Sequence, residues 1–217
     1  MPRLSDIAVI IPAGPGEREW VPLLPQLHEV GERVLSCVHG DVPPLPETTG
    51  VRVVEGEPGR ARQLNAGAAA TARPWLWFIH ADSRVVPATL DAVATAPDRD
   101  MLGYCDLRFY DGPPWMAVNA FFGNLRSRWF GLPFGDQGLL MPRAVYNQLG
   151  GFDETLAAAE DHALVWAARH ARIPVTRLRA PLYTSGRRYA DEGWFRVTAR
   201  HATATILQAR LFSARHA

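Results

Sequence analysis

The sequence predicts one α/β domain in which a β-sheet carries helices on its faces. Over residues 1–80, short apolar runs rich in β-branched residues alternate with Ala- and Leu-rich segments, which is typical of α/β folds. The composition is that of a globular protein, with 47% hydrophobic and 21% charged residues among 217. A chain of this length buries roughly 70% of its unfolded surface. We therefore expect a single domain, 1–217, closed by a C-terminal helix.

The first part of the chain contains the clearest pattern. Residues 7–12 form a continuous apolar run that ends in Pro and Gly, which indicates a buried parallel strand. Residues 75–79 are equally apolar and predict a central strand. Between them the pattern predicts a helix over 18–31, strands over 33–38 and 51–54, and a helix over 60–72. Pro22 and Pro25 oppose the first of these helices.

The rest of the chain continues the alternation. The predicted strands are 101–109, 138–141 and 174–179. The predicted helices are 84–97, 115–129, 142–149, an amphipathic helix over 157–171 and a long helix over 190–213. The sequence shows no internal repeat and no low-complexity linker.

Composition excludes several classes of protein. The longest apolar runs are shorter than the ~20 residues of a membrane span, and the N-terminus lacks the pattern of a signal peptide. Net charge is +1, so we expect no nucleic-acid partner. We interpret Cys37 and Cys105 as small core residues in a reducing, cytoplasmic compartment. All 23 basic residues are Arg, which excludes any mechanism that requires a lysine.

Polar residues follow the first four predicted strands. In open α/β sheets, ligands bind beyond the carboxyl ends of the strands, so these turns are the first candidates for a binding site. The candidates after the first strand are Pro12, Ala13, Gly14 and Glu17, and those after the third and fourth strands are Arg60, Arg62, His80, Ala81 and Asp82.

Four of these side chains permit two interpretations. Asp82 follows a very apolar strand and could hold a divalent cation against a diphosphate, or it could cap a helix beginning near Val85. Arg60 and Arg62 could bind phosphate oxygens, or they could lie at a solvated helix start. His80 could be a metal ligand or a packed core histidine.

Glu160 and Asp161 lie early in the helix predicted over 157–171. Adjacent helical residues face about 100° apart, so the two acids cannot perform the same task. One could act as a general base while the other pairs with an arginine. The alternative is simple compensation of the helix dipole.

Three further segments carry candidate residues. Gly135–Gly138 lets the backbone approach a ligand closely, or is a plain turn. Residues 184–189 combine two hydroxyls with Arg187 and Arg188, which suits phosphate binding, or form a solvated loop. The third segment is aromatic and either lines an acceptor cleft or is core; its residues are Trp115, Phe121, Phe122, Trp129 and Phe134.

These segments together resemble family 2 glycosyltransferases of the GT-A fold. Within that family they resemble the short, soluble bacterial branch that accompanies radical-SAM and selenoprotein-like gene sets. The resemblance runs through residues 7–196 and rests on six motifs in order. They are EPGRARQLNAGA (57–68), HADS (80–83), GDQG (135–138), GGF (150–152), the ED pair (160–161) and TSGRRY (184–189).

The resemblance implies a GT-A-like, Rossmann-like sheet that is mixed but mostly parallel, with helices on both faces. It implies a nucleotide-binding half over 1–84, a donor-sugar and acceptor half over 85–189, and a terminal helix over 190–214. The implied reaction is inverting transfer from a nucleotide-diphosphate sugar to a hydroxyl acceptor, either a small molecule or lipid-linked, assisted by Mg²⁺ or Mn²⁺.

The resemblance also implies roles for individual residues. Asp161 matches the catalytic base, with Glu160 beside it, while Asp82 and His80 match the metal motif. Eleven residues would bind the donor. They are Pro12, Ala13, Gly14, Glu17, Arg60, Arg62, Asn65, Ala81, Asp136, Arg187 and Arg188. The acceptor side would include Gly150, Gly151, Phe152 and Trp129.

The chain departs from the family pattern where the nucleoside would bind. The usual Thr-x-Asn-Glu segment is replaced by Ala13 to Gly16, and the acid expected after the second strand is replaced by His39-Gly40, with Asp41 nearby. Two alternatives follow: a degenerate, non-catalytic binding or scaffold protein, or a sugar-phosphate nucleotidyltransferase. The second conflicts with the absence of lysine.

The helix predicted at the C-terminus adds a question about partners. It combines apolar residues with arginines, among them Trp194, Val197, Ile206, Leu207, Leu211, Phe212, Arg196, Arg200, Arg210 and Arg215. Such a helix either packs on the core or makes peripheral contact with the inner face of a membrane or with a second copy of the chain.

Overall fold

A computed structural model of the chain describes residues 1–42, 45 and 50–214, except the side chains of 206, 208–211, 213 and 214. Within this part the strands form one sheet. They are β1 (Ile7–Pro12), β2 (Glu32–Val38), β3 (Val51–Gly56), β4 (Trp75–Phe78), β5 (Leu102–Phe109), β6 (Leu139–Pro142) and β7 (Val175–Thr184). Their order is β3-β2-β1-β4-β6-β5-β7.

The sheet is mixed but mostly parallel, because β6 alone among the described strands runs antiparallel to its neighbours. Its helices are α1 (Arg60–Ala69), α2 (Pro87–Ala94), α3 (Met116–Phe130), α4 (Arg143–Gln148), α5 (Glu160–His170), α6 (Arg187–Glu192) and α7 (Trp194–Ala214). The α/β fold class is therefore confirmed.

A hydrophobic core lies on each face of the sheet. Alternate residues of β1 point to opposite faces, so Val9 packs in one core and Ile10 in the other. All six residues of β1 are buried, which explains why the strand reads as an unbroken apolar run. Leu90 of α2 packs in the first core, and Leu164 of α5 packs in the second.

Gly67 lies within α1 although glycine disfavours helices, and its lack of a side chain lets α1 pack close to the sheet. A Cβ at Gly67 would lie 2.5 Å from Cγ2 of Ile10 and 2.8 Å from Oγ of Ser36. A larger side chain would push α1 away from β1 and β2. Glycine in a helix costs ~1 kcal/mol relative to alanine, and the close packing of α1 on the sheet offsets this cost.

The prediction of a helix over 18–31 is wrong. This segment forms turns, with one 3₁₀ turn at Leu24–Leu27. Pro22 and Pro25 each lack a backbone N–H, which prevents a continuous ladder of helical hydrogen bonds. Leu23 and Leu27 are nonetheless fully buried, so the apolar residues reach the core without a helix.

The helices predicted over 60–72, 84–97 and 157–171 are each shorter than expected. Two other elements differ in extent or number. The strand predicted over 174–179 continues to Thr184, because it stays paired with β5 past an irregularity between Tyr104 and Asp106. The single helix predicted over 190–213 is two helices, α6 and α7, separated by Gly193 at φ 90°. Glycine tolerates this backbone conformation and a side chain does not.

Both cysteines are buried and free, as expected for core residues. Among the described residues, no helix combines the length and the hydropathy that crossing a membrane requires.

Candidate functional site

A cleft of about 430 Å³ opens at the carboxyl ends of β4 and β7. One part of it, here called the floor, consists of Arg60, His80, Gly135, Glu160 and Asp161. The other part, here called the wall, consists of Glu17, Arg187, Arg188, Glu192 and Arg200. The residues of the two parts that line the cleft directly are Arg60, His80, Asp161, Arg187, Arg188 and Arg200, and Asp82 and Asp136 line it with them. Gly135 and the three glutamates contact these residues and are not part of the lining. The predicted location beyond the strand ends is therefore where the candidate residues meet.

Asp161 is held at the first turn of α5 by backbone amides. Its Oδ2 accepts a hydrogen bond from the Gly135 N–H at 2.5 Å, and its Oδ1 accepts one from the His162 N–H at 2.8 Å. Burial raises the pKa of this carboxyl, but the Arg60 guanidinium and the Gly135 amide outweigh burial and lower it overall. Asp161 is therefore an ionised, fixed carboxylate facing the cleft.

Glu160 faces away from the cleft and is 3% exposed. Its carboxylate forms an ion pair with Arg60 at the start of α1, which is the arginine pairing expected for one of the two adjacent acids. Burial lowers the pKa of Arg60, but Asp161 and Glu160 raise it overall. The guanidinium thus stays charged and links α1 to α5.

His80 completes the floor. Its Nε2 lies 3.3 Å from Nη1 of Arg60. Burial and the charge of Arg60 lower the pKa of this imidazole to about 4, so His80 is neutral at physiological pH. A neutral imidazole has one unprotonated nitrogen. Because a guanidinium only donates, that nitrogen is Nε2 and it faces Arg60, so His80 would ligate a metal only after releasing this contact.

Gly135 explains how these groups come so close together. A Cβ at this position would lie 2.7 Å from Nε2 of His80 and 2.9 Å from Oδ2 of Asp161. The turn that carries it, Gly135–Gln137, is anchored by the buried amide of Gln137, which bonds Oγ of Ser127 and the Cys105 carbonyl. This anchoring role of Gln137 was not predicted from the sequence.

Asp82 and Asp136 supply carboxylates to the same cleft. Asp82 does not cap α2, which begins at Pro87, and its Oδ1 instead accepts a hydrogen bond from Oγ1 of Thr184 at 3.3 Å. Oδ1 of Asp136 is buried without a hydrogen-bond partner among the described residues. Burial, together with the charges of Asp161 and Asp82, raises the pKa of Asp136 to about 6.

This donor set fits a divalent cation that is shared with a ligand. In the described part of the chain, no group of three or more His, Cys, Asp or Glu side chains is arranged to hold a metal by itself. Mg²⁺ in nucleotide sites usually takes one or two carboxylates and completes its shell with water and phosphate oxygens. Asp82 and the unpartnered oxygen of Asp136 supply carboxylates of that kind in the cleft.

The wall of the cleft is built from surface ion pairs. Nη2 of Arg187 lies 2.6 Å from Oε2 of Glu17, which belongs to the turn after β1. Glu192 pairs with Arg200 at 2.7 Å and more loosely with Arg188 at 3.9 Å. All three arginines are about half exposed or more, so their guanidinium groups are accessible to an anion.

Several predicted site residues lie outside the cleft. Asn65 accepts a hydrogen bond from the Phe152 N–H and donates one to its carbonyl, both at 2.9 Å. It thereby fixes the turn at Gly150 and Gly151, both at positive φ. The Phe152 ring packs in the core, 4.9 Å from Phe78.

The turn after β1 is likewise held by backbone contacts. The Ala13 carbonyl accepts a hydrogen bond from Gln63 at 2.6 Å, and Ala13, like Pro12 in β1 before it, is buried. Gly14 has open space around it, Ala81 is buried, and Arg62 is exposed on α1.

The aromatic segment meets neither of its two expectations. Of its five named residues only Phe134 lines the cleft, with the Arg126 guanidinium 3.5 Å above its ring. The other four, Trp115, Phe121, Phe122 and Trp129, are between 60% and 73% exposed. They belong neither to the core nor to the cleft, because the residues that α3 buries are Met116 and a set of small and polar residues.

The C-terminal helix contributes to the cleft, which the sequence analysis did not predict. Arg200, His201, Ala204 and Thr205 of α7 line it. Their spacing places them on one helix face, and this periodicity is the signal that could have found them. Val197 and Phe212 are buried, so part of α7 packs on the body of the protein. The side chains of Ile206, Arg210 and Leu211, and the whole of Arg215, lie outside the described residues.

Solved structures with the same architecture are glycosyltransferases. Staphylococcus aureus TarS matches with a TM-score of 0.62 and 18% identity over 82% of this chain and 36% of its own. A mannosyltransferase from Pyrobaculum calidifontis, solved with GDP-Man and Mn²⁺, matches with a TM-score of 0.62 and 16% identity over 85% of this chain and 59% of its own. These comparisons show that the chain has the GT-A fold.

A third match is glucosyl-3-phosphoglycerate synthase from Mycobacterium tuberculosis, solved with Mn²⁺, UDP and phosphoglyceric acid. It has a TM-score of 0.51 and 17% identity over 80% of this chain and 69% of its own. The chain thus spans about a third of TarS and less than two thirds of the mannosyltransferase. Neither a scan against protein-family models nor a search of curated proteins found a match.

Proposed function

We propose that this protein is an inverting glycosyltransferase of the family 2 type, which transfers a sugar from a nucleotide-diphosphate sugar to an acceptor hydroxyl. One observation carries the proposal: an ionised Asp161, fixed by the Gly135 amide, faces a cleft that also holds two carboxylates and three accessible arginines. The GT-A fold, shared with enzymes solved with UDP or GDP-Man, supports it.

Asp161 is the catalytic base in this proposal. Its carboxylate takes the proton of the acceptor hydroxyl as that oxygen bonds to the anomeric carbon of the donor. The bond from the anomeric carbon to the diphosphate breaks in the same step, and its electron pair leaves with the diphosphate. Such a displacement needs an aligned base and a stabilised leaving group.

The arginines of the wall stabilise the leaving group. Arg187 and Arg188 face the cleft beside Asp82, so their charges offset those that grow on the diphosphate oxygens. A divalent cation held by Asp82 and Asp136 would supply further positive charge to these oxygens. Glu160 has a different role from Asp161: it positions Arg60, and through Arg60 the base.

The experiment is a thermal-shift panel of UDP, GDP, dTDP, ADP and CDP and their common sugar adducts, each with Mg²⁺, with Mn²⁺ or with EDTA. A ligand at 100 times its Kd stabilises the folded state by about 2.7 kcal/mol, which raises Tm by roughly 5–10 °C for a chain of this size. We expect a metal-dependent shift for one nucleotide.

The same panel tests the runner-up function, a degenerate binding or scaffold protein. One observation favours it: Arg187, the cation expected at the diphosphate, is engaged by Glu17. A folded protein that shows no shift with any nucleotide, with or without metal, would refute the transferase and favour this alternative.

A further inference from the structure

The helix α3 exposes a continuous stripe of large apolar side chains. Five of them are Trp115, Val118, Phe121, Phe122 and Trp129, with exposed fractions of 63%, 38%, 61%, 60% and 73%. At 3.6 residues per turn, these five positions fall within an arc of about 120°. We call this set the aromatic stripe.

The largest apolar side chains of α3 lie on its exposed side, unlike those of an ordinary surface helix, whose apolar face packs on the core. The buried side of α3 carries Gly123, Asn124 and Ser127 beside Met116 and Ala120. Asn124 accepts a hydrogen bond from the Leu107 N–H at 2.8 Å and donates one to its carbonyl at 3.0 Å. The helix is therefore fixed to β5 by polar contacts, and the stripe is held rigidly outward.

More aromatic surface lies at both ends of the stripe. Phe130 ends the helix and is 60% exposed, and Phe195 is 83% exposed. Phe195 lies edge-on to Trp194 at a centroid distance of 4.9 Å, and Trp194 in turn donates to Oδ1 of Asn119 in α3. An exposed patch of this extent on a protein marks an interaction surface.

Arginines border the stripe, and the acids near it in sequence are Asp111 before α3 and Asp191 and Glu192 before Trp194. The sequence of α3 contains no Asp or Glu. Arg128 lies on the helix, Arg169 donates to the Phe130 carbonyl, and Arg196 follows Phe195 and is exposed. The carboxylate of Asp106 pairs with Arg128 at 3.3 Å and also accepts hydrogen bonds of 2.7 and 2.5 Å from Arg177, so the two arginines together exceed its charge.

We propose that the aromatic stripe docks onto an anionic lipid bilayer, with α3 lying in the plane of the interface. Aromatic rings inserted at the level of the headgroups, bordered by arginines that contact lipid phosphates, are the physical basis of interfacial helices. A second copy of the chain is a poorer occupant, because a symmetric contact through this face would bring the same arginines against one another.

The test is flotation of the full chain with vesicles of phosphatidylcholine, with or without phosphatidylglycerol. We expect binding to the anionic vesicles that weakens as salt is raised. The double variant Phe121→Ser/Trp129→Ser should lower the ratio of bound to free protein by roughly tenfold or more. The control is Leu207→Ser, which removes an apolar side chain of α7 that is 64% exposed and should leave binding unchanged.

Three outcomes would overturn the proposal: no binding of the wild type to anionic vesicles, equal binding by the double variant, or an equal loss in Leu207→Ser. A dimer in light scattering that dissociates in the double variant, with no vesicle binding, would assign the stripe to a second copy. If the double variant does not fold, Phe121→Ser and Trp129→Ser are measured singly. Nucleotide thermal shifts do not depend on the stripe, so this test and that of the proposed function fail separately.

Discussion

The floor and the wall of the cleft are built from the same kinds of side chain in different ways. In the floor, Asp161 is bonded to two backbone amides, and Glu160 is buried against Arg60. In the wall, Arg187 and Arg200 pair with Glu17 and Glu192, which are 21% and 38% exposed against 3% for Glu160, whereas the arginines of all three pairs are 45–47% exposed. The carboxylates of the floor are fixed in place, whereas the arginines of the wall are able to exchange partners. Glu17 itself is held by the backbone amides of Arg18 and Glu19.

This difference has a physical consequence for function. A base must already be aligned when the substrate arrives, because reorganisation during the reaction adds to the barrier. Groups that recognise a ligand need only to be available, since surface ion pairs contribute about 0–1 kcal/mol and are easily replaced. We therefore infer that chemistry belongs to the floor and ligand recognition to the wall.

The largest effect should come from Asp161→Asn. The amide keeps the size of the side chain but cannot accept the proton, so turnover should fall roughly 10²–10⁴-fold. Binding of the nucleotide, measured by thermal shift, should change little. The control is Asp91→Asn, an exposed acid on α2. Normal turnover in Asp161→Asn would place the base elsewhere.

Gly135→Ala should damage the floor by steric contact. The added methyl group would lie within 3 Å of both His80 and Asp161, so the floor must shift, at a cost of about 1–3 kcal/mol in the free energy of unfolding. Turnover should fall at least tenfold with it. Urea unfolding and activity are measured beside Gly56→Ala, where no atom lies within 4 Å of the new Cβ. Equal stability of the two variants would contradict the close packing of the floor.

Glu160→Gln and Glu17→Gln compare the two regions directly, because each breaks one Arg–Glu pair. Loss of the buried charge at Glu160 should destabilise the protein by about 2 kcal/mol, and the surface change at Glu17 by less than 1 kcal/mol. Chemical denaturation of both variants in one buffer gives the comparison. Equal losses would mean that the floor is no more tightly fixed than the wall.

The smallest effect concerns ligand binding in the wall. Glu17→Gln releases Arg187 from its partner at 2.6 Å, so nucleotide affinity should rise, by about two- to fivefold for a free-energy gain below 1 kcal/mol. Titration calorimetry with the nucleotide found in the panel measures it. A weaker affinity would indicate that Glu17 itself contacts the ligand.

Much of the floor could be predicted from the sequence because its residues follow apolar strands or begin helices. The run at 75–79 placed Asp82 beyond a central strand, and the adjacent acids at 160–161 had to face different directions. Their shared location then followed from the general rule for open sheets. Contacts between distant segments could not be predicted in this way: Arg187 and Glu17 are 170 positions apart.

The orientation of the aromatic segment also could not be predicted from the sequence. Periodicity identifies α3 as a helix with an apolar face, and the usual rule turns that face inward. The structure turns it outward, because Asn124 and Gln137 satisfy the polar groups beneath the helix. Which face of a helix is buried depends on its neighbours as well as on its own pattern.

The sequence by itself determined the α/β class, the buried strands β1 and β4 and the edge of the sheet at which the acids and arginines gather. These properties depend on the local hydrophobic pattern and on chain direction, and both can be determined from residues that are consecutive in the sequence. Only the tertiary structure decided that Glu160 pairs with Arg60, that α7 lines the cleft and that α3 faces solvent. Those outcomes depend on contacts between segments far apart in the chain, where packing and buried polar groups decide among arrangements that local pattern leaves equivalent.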